Sequence, residues 1–244
     1  MAALDPQLVL GAYAVGVFPM ADSRDADSVY WVEPRSRAVM PLDGFRLSRS
    51  LRKVIAGDRY RVTVNTAFDD ILSLCAESAE DRPETWINGA IEQVFVRLHA
   101  MGFAHSVECW DGERLVGGLY GLALGRAFFG ESMVSRASNA SKVALAHLVA
   151  RLRAGGFSLL DCQFQTDHLA SLGAVEISRA DYVALLSAAL SGVVGAGAAG
   201  AAASGDFFAL DRAVPGAADP GAADGVVSAP VSGQAIVQLL VQTS

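Results

Sequence analysis

AHSVECWDGERLVGGLYGLALGRAFFGESM, residues 104–133, reads as a three-strand meander. Ala104 to Trp110 alternates as a strand, and Asp111-Gly112 is a tight-turn dipeptide. Leu115 to Leu124 is the second strand, Gly125-Arg126 the next turn, and Ala127 to Met133 the third strand. A helix follows, capped near Ser138 or Asn139, with Leu145, Leu148, Val149 and Leu152 on its apolar face. Gly155-Gly156 ends that helix, and Phe157 to Gln163 is a continuous apolar strand. Three antiparallel strands, a helix and a further strand specify an α+β (mixed α/β) sheet layered with helices.

Upstream, Asp5-Pro6 is a helix start, and Ser48 to Ala56, Phe68 to Ala76 and Trp86 to Met101 carry helical spacing. Trp31 to Pro41 reads as short extended pieces, and Arg61 to Val64 as a strand. Downstream come a short helix at His168 to Leu172, a strand around Val175 and a last helix at Tyr182 to Leu190. These elements group as a small N-terminal domain (1–64), a larger domain (65–190) and a Gly/Ala-rich, flexible tail (191–244). Gln234 to Val241 is expected to return as an edge strand.

The net charge of −7, from 19 Lys and Arg against 26 Asp and Glu, excludes a protein that coats nucleic acid through its overall charge. Any such contact needs a local patch, and Arg46, Arg49, Arg52, Lys53, Arg59 and Arg61 supply one, opposed only by Asp43 and Asp58. The 3 cysteines, far apart, suggest neither disulfides nor a zinc site and fit a reducing cytoplasm. No secretory signal is expected at Met-Ala-Ala-Leu-Asp. Val183 to Ala203 is uncharged, but its Ala, Gly and Ser content reads as a helix end running into a linker, not a membrane span.

Two strand ends carry carboxylates, Glu131 and Asp161, and a buried carboxylate is costly unless paired or functional. Period two places Asp161 and Gln163 on one face and turns Cys162 to the other, as a buried inert thiol.

These segments resemble the signature blocks of the leucyl/phenylalanyl-tRNA–protein transferases. The likeness runs from residue 7 to 190 through Gly11-Ala12-Tyr13, Gly16 to Met20, Trp31 with Pro34 and Arg37, and Thr85-Trp86-Ile87. It continues through Ala104 to Glu108, Leu115 to Gly121, Gly130 to Arg136, Ala140-Ser141-Lys142 and Asp161-Cys162-Gln163. The resemblance implies an acetyltransferase-like fold. It also implies transfer of leucine or phenylalanine, with methionine a further candidate, from aminoacyl-tRNA to the α-amine of a protein beginning with Arg or Lys, marking that protein for degradation. No cofactor or metal is implied, and a cytoplasmic monomer is expected. Asp161 and Gln163 would then hold and deprotonate the amine, and Glu131 would read the acceptor's cationic side chain. Trp31, Trp86, Leu119, Phe128 and Met133 would receive the amino acid and the terminal adenosine, and the basic residues the tRNA body.

The chain departs from the family's pattern at Arg46, where a His is usual, at Val134, where a Phe is common, at Ile177-Ser178-Arg179, which lacks a Pro, and in the tail. Two other readings are open. An acetyl-CoA-dependent acetyltransferase would place a glycine-rich turn at Ser135-Arg136-Ala137-Ser138-Asn139, which has no glycine. A non-catalytic RNA-binding module would account for the tryptophans and basic residues, but not for the carboxylates.

Overall fold

Asp5 opens the first helix by accepting the Gln7 amide hydrogen at 2.9 Å, with Pro6 at a position where its missing N–H costs nothing. In this computed structural model, which describes residues 3–77, 85–191, 204–213, 225–227 and 231–242, that helix is α1 (Pro6–Ala14). Strands β1 (Phe18–Met20) and β2 (Tyr30–Val32) pair as a small antiparallel sheet of their own. Then come β3 (Ser36–Val39), α2 (Arg49–Ala56), β4 (Arg61–Val64), α3 (Phe68–Ala76) and α4 (Gly89–Ala100). The last of these begins after Trp86, not at it. Asn88 supplies the cap, its side chain accepting from the Ile91 amide at 3.1 Å.

The meander forms as expected, as β5 (Ala104–Asp111), β6 (Arg114–Leu124) and β7 (Ala127–Ser135). It is followed by α5 (Ala140–Ala154), β8 (Leu159–Gln163), α6 (Asp167–Ser171), β9 (Val175–Ser178) and α7 (Arg179–Leu190). The main sheet has the strand order β4-β5-β6-β7-β8-β3-β9, with β7 and β8 parallel and the other neighbours antiparallel. This is a mixed sheet layered with helices, the acyltransferase-like class. Of residues 1–64, β3 and β4 both belong to this sheet. Strand β3 lies between β8 and β9, with Val39 opposite Asp161 and Ala38 opposite Gln163.

Each face of the sheet has its own apolar core. One gathers Leu51, Ile55, Val143, Leu148 and Leu160 under α2 and α5; the other gathers Tyr13, Phe68, Ile91, Phe129 and Leu186 under α1, α3, α4 and α7. Adjacent glycines on β6 let helices close on both faces at once. A Cβ at Gly117 would strike Ala140 of α5, and one at Gly118 would strike Ile71 of α3.

The tail differs from expectation wherever it is described. Gln234 to Val241 is not an edge strand but lies in helix α9 (Gly233–Val241), capped by Ser232 and burying Gly233, Ile236, Val237 and Leu240. Those positions recur at helical spacing, so the buried stripe selects a helix. A short helix, α8 (Ala209–Ala213), seats Asp211 against Arg151 in an ion pair 1% and 5% exposed. Phe207 stacks between His105, at 4.2 Å, and Phe128, at 5.6 Å. Residues 192–203, expected as a linker, lie outside the described residues. Among the described residues no helix is long and apolar enough to cross a membrane.

Candidate active site

Asp161 lies in the middle of β8 with no solvent exposure, a position tenable only if its charge is matched. Arg37 on β3 matches it with a two-point contact: Nε donates to Oδ1 at 2.9 Å and Nη2 to Oδ2 at 2.6 Å. Tyr182 on α7 donates its hydroxyl to Oδ2 at 2.8 Å, and the Gln163 backbone amide donates to Oδ1 at 2.8 Å. The Arg37 guanidinium lies 4.6 Å from the ring centres of both Phe18 and Tyr182, and donates to the Gly16 carbonyl at 3.1 Å. Every acceptor position of Asp161 is therefore engaged by groups from β3, α7 and the end of its own strand at Gln163.

The bond from Gln163 has a local consequence. Gln163 sits in the left-handed region at φ 61°, a conformation that costs a non-glycine residue about 1–3 kcal/mol. Asp161 holds that turn closed. It brings the Gln163 carboxamide round to a cavity of about 300 Å³ whose lining also includes Glu131, Leu119, Met133, Trp86 and Cys162. Asp161 and Arg37 are not in that lining. The period-two expectation that Asp161 and Gln163 present side by side on one face gives way to a support and a presented group. Cys162, expected on the far side, is in the wall, and burial pushes its thiol up to about 12, so it is inert.

Glu131 on β7 is 7% exposed. Tyr13 on α1 donates its hydroxyl to Oε1 at 2.8 Å, while Oε2 and the Gln163 carboxamide nitrogen are both buried without a hydrogen-bond partner among the described residues. Burial pushes the Glu131 carboxyl up to about 8, against the opposing pull of Tyr13 and of the nearby Gln163 carboxamide. Two unsatisfied polar atoms in one cavity wall are costly by themselves and are suited to receiving a polar ligand.

The remaining wall is apolar. Leu119, Met133, Leu145, Leu148, Leu160 and Leu169 make a slot for an aliphatic or aromatic side chain. Trp86 contributes its half-buried ring from the loop before α4. Two of the aromatic residues expected there lie elsewhere. Phe128 is fully buried outside the lining, with Phe157 and Phe207 packed on its ring. Trp31 is 39% exposed on β2, outside the lining.

The basic residues divide in two. Arg49, Arg52 and Lys53 are exposed on α2 without an ion pair among the described residues, and Arg46 is exposed just ahead of them. The Arg46 amide donates to the Leu172 carbonyl at 2.8 Å, tying this segment to the end of α6, whose His168 and Leu169 line the slot. Arg59 is instead paired with Asp111 at 2.8 Å, and Arg61 lies over the Trp110 ring at 5.1 Å. Arg37, Tyr13 and Tyr182 hold the carboxylates, yet none of the three stands out along the chain as a site residue. A signal exists for Arg37, a charge directly ahead of the apolar run Ala38-Val39-Met40.

The model of the leucyl/phenylalanyl-tRNA protein transferase family matches residues 39–187, and that of the family's N-terminal domain matches residues 2–35. A leucyl/phenylalanyl-tRNA–protein transferase of Rhizorhabdus wittichii is 63% identical over 248 residues, covering 100% of both chains. Proteins of the same name from Zymomonas mobilis and Rhodospirillum rubrum are 62% and 56% identical, covering 77% and 78% of this chain and 70% and 89% of their own. With both family blocks matched in order and the slot, Glu131 and Gln163 gathered in one wall, this chain belongs to the leucyl/phenylalanyl-tRNA–protein transferase family.

Proposed function

We propose that this protein transfers leucine or phenylalanine from aminoacyl-tRNA to the α-amine of a protein whose first residue is Arg or Lys. The observation that carries the reading is the convergence of Glu131 Oε2 and the Gln163 carboxamide nitrogen, each without a hydrogen-bond partner among the described residues, on one apolar slot. The slot takes the donor's side chain, and the two polar groups take the acceptor. An aminoacyl ester is already activated, so the protein's share is to hold the ester and the amine together, which supplies most of the acceleration in such reactions. Gln163 orients the amine. Asp161, with its oxygens engaged by Arg37, Tyr182 and the Gln163 amide, acts as a positioning residue.

Trp86 offers a face on which the terminal adenosine stacks, and Trp31, exposed on β2, is a second aromatic face for the donor tRNA. The unpaired cations Arg46, Arg49, Arg52 and Lys53 receive phosphates of the tRNA body, and Arg59 and Arg61 flank them. We place the reaction in the cytoplasm, carried out by a monomer and without a cofactor. Labelled leucine offered on tRNA should appear on a peptide beginning with Arg and not on the same peptide with an acetylated N-terminus. Tight binding of the charged tRNA with label on neither peptide would replace this reading by that of an RNA-binding module.

A further inference from the structure

Helix α2 carries the exposed cations Arg49, Arg52 and Lys53 on 8 residues. That is shorter than the about 12–15 residues at which a helix holds its shape alone in water, so packing on its other face keeps it in place. Leu51 and Ile55 are buried there, in one apolar core with Val231, Ile236, Val237 and Leu240 of the tail. The family's models reach only to residue 187, so this support comes from a part of the chain beyond them. The last turn of α2 is held at close range. Asp58, in the left-handed region at φ 47°, accepts the Gly233 amide hydrogen at 2.7 Å. Gly233 opens α9 so near to α2 that a Cβ there would strike the Ile55 carbonyl. At the far end of α9, Arg153 on α5 donates to the Gln242 carbonyl at 2.6 Å and lies 3.6 Å from the Asp43 carboxylate, ahead of Arg46.

We propose that the tail is a working part of the tRNA-binding surface: α9 fixes the C-terminal end of α2 and so the position of Arg49, Arg52 and Lys53 relative to the slot. The inference rests on the reading of these cations as receivers of tRNA phosphates. The front of α2 is already tied to the slot, through the Arg46 amide on the Leu172 carbonyl. Two fixed points are needed to set the direction of a helix, and α9 supplies the second. Phosphate contacts act by positioning a nucleic acid, so they serve only from a backbone that is itself held. Helix α9 has no charged residue of its own, and its exposed Gln234 and Gln238 are neutral. Its effect on tRNA therefore passes through α2. Val227 adds a third tie, pairing with Val64 along the edge of β4, the strand that follows α2.

The test compares two substitutions at Asp58 in the full-length protein. Asp58→Asn and Asp58→Gly remove the same charge, and both residues accept left-handed backbone. Only Asn keeps an oxygen for the Gly233 N–H. The readouts are Kd for leucyl-tRNA, its salt dependence, and kcat and KM for leucine transfer. Asp58→Asn should bind at least as tightly as the wild type, since a negative charge beside the cations is gone. Asp58→Gly should bind about tenfold more weakly than Asp58→Asn, the scale of one charge-assisted contact. Its slope of log Kd against log salt should be shallower by about one unit, and KM should rise with kcat kept. Equal Kd and slope in the two variants would overturn the proposal. So would a fall in kcat at unchanged Kd, which is what a plain loss of folded protein produces. Gly233→Ala wedges α9 away from α2 and should move the same readouts in the same direction; a folded Gly233→Ala protein with wild-type Kd would overturn the proposal as well. If Arg49→Ala and Arg52→Ala leave tRNA binding unchanged, the phosphate reading of α2 fails instead.

Discussion

Arg37 and Asp161 lie 124 positions apart in the chain and meet as a two-point ion pair in which Arg37 is 2% exposed and Asp161 not at all. A pair this buried returns its desolvation cost only while both members are present. Either Arg37→Met or Asp161→Asn should therefore lower unfolding free energy by about 3–5 kcal/mol, and the double variant by clearly less than the sum. Denaturant titration of the three variants checks this. Additive losses would mean that the pair contributes little beyond its separate interactions.

The same carboxyl chemistry predicts how stability follows pH. Glu131 is pushed from 4.5 to about 8 on folding, so the folded protein binds more protons than the unfolded chain between those values. Its contribution is lost as pH rises through that window, at up to about 1.4 kcal/mol per pH unit. His105 and His147 are pushed down from 6.5 to about 3, chiefly by burial, so their contribution is lost as pH falls from 6.5. Unfolding free energy measured across pH 4–9 should peak near about pH 6.5. In Glu131→Gln the alkaline side of that curve should flatten.

Slot shape should set the choice of donor. Met133 is in the wall beside Leu119, and truncating it to Ala opens space for a larger ring. Met133→Ala should raise transfer of phenylalanine relative to leucine by about 10-fold, the scale on which one apolar wall discriminates. Competition between the two charged tRNAs reads this directly, and an unchanged ratio would show that Met133 does not shape the slot.

The free and the paired arginines should behave differently toward tRNA. Removing the charge of Arg49, Arg52 or Lys53 should weaken binding and reduce the salt dependence of log Kd by about one unit for each phosphate no longer neutralised. Arg59→Ala should change that slope by less, since Asp111 already occupies its guanidinium. Equal slope changes at Arg59 and Arg52 would contradict the division.

The tail should matter to stability out of proportion to its composition. Phe207→Ala removes the ring stacked between His105 and Phe128 and should cost about 3–5 kcal/mol. Asp211→Ala leaves the buried Arg151 without its anionic partner and should cost a similar amount. Thermal melts that match the wild type would show that the tail is not part of the core.

Much of the architecture is legible along the chain, because it rests on local signals. Alternation in residues 104–133, the Asp5-Pro6 start and the Gly155-Gly156 stop are each settled within a few neighbours, and the corresponding strands and helices form where expected. Trp86 reads as part of a helix that Asn88 actually starts, since apolar spacing continues across a cap. In the tail, Ala and Gly dilute the apolar positions, so the stripe of Ile236, Val237 and Leu240 does not announce a helix.

What only the tertiary structure decided is which carboxylate is sealed and which is open. Along the chain Asp161 and Glu131 are equivalent, each a charge at the end of an apolar strand. Arg37 saturates one, and Tyr13, 118 positions from Glu131, holds a single oxygen of the other. The sequence by itself therefore determined the elements and the chemistry available. Whether each charge is paired, and how far burial shifts its proton affinity, depends on groups brought close only by folding, because desolvation and hydrogen bonding act over a few ångströms of space and not along the chain.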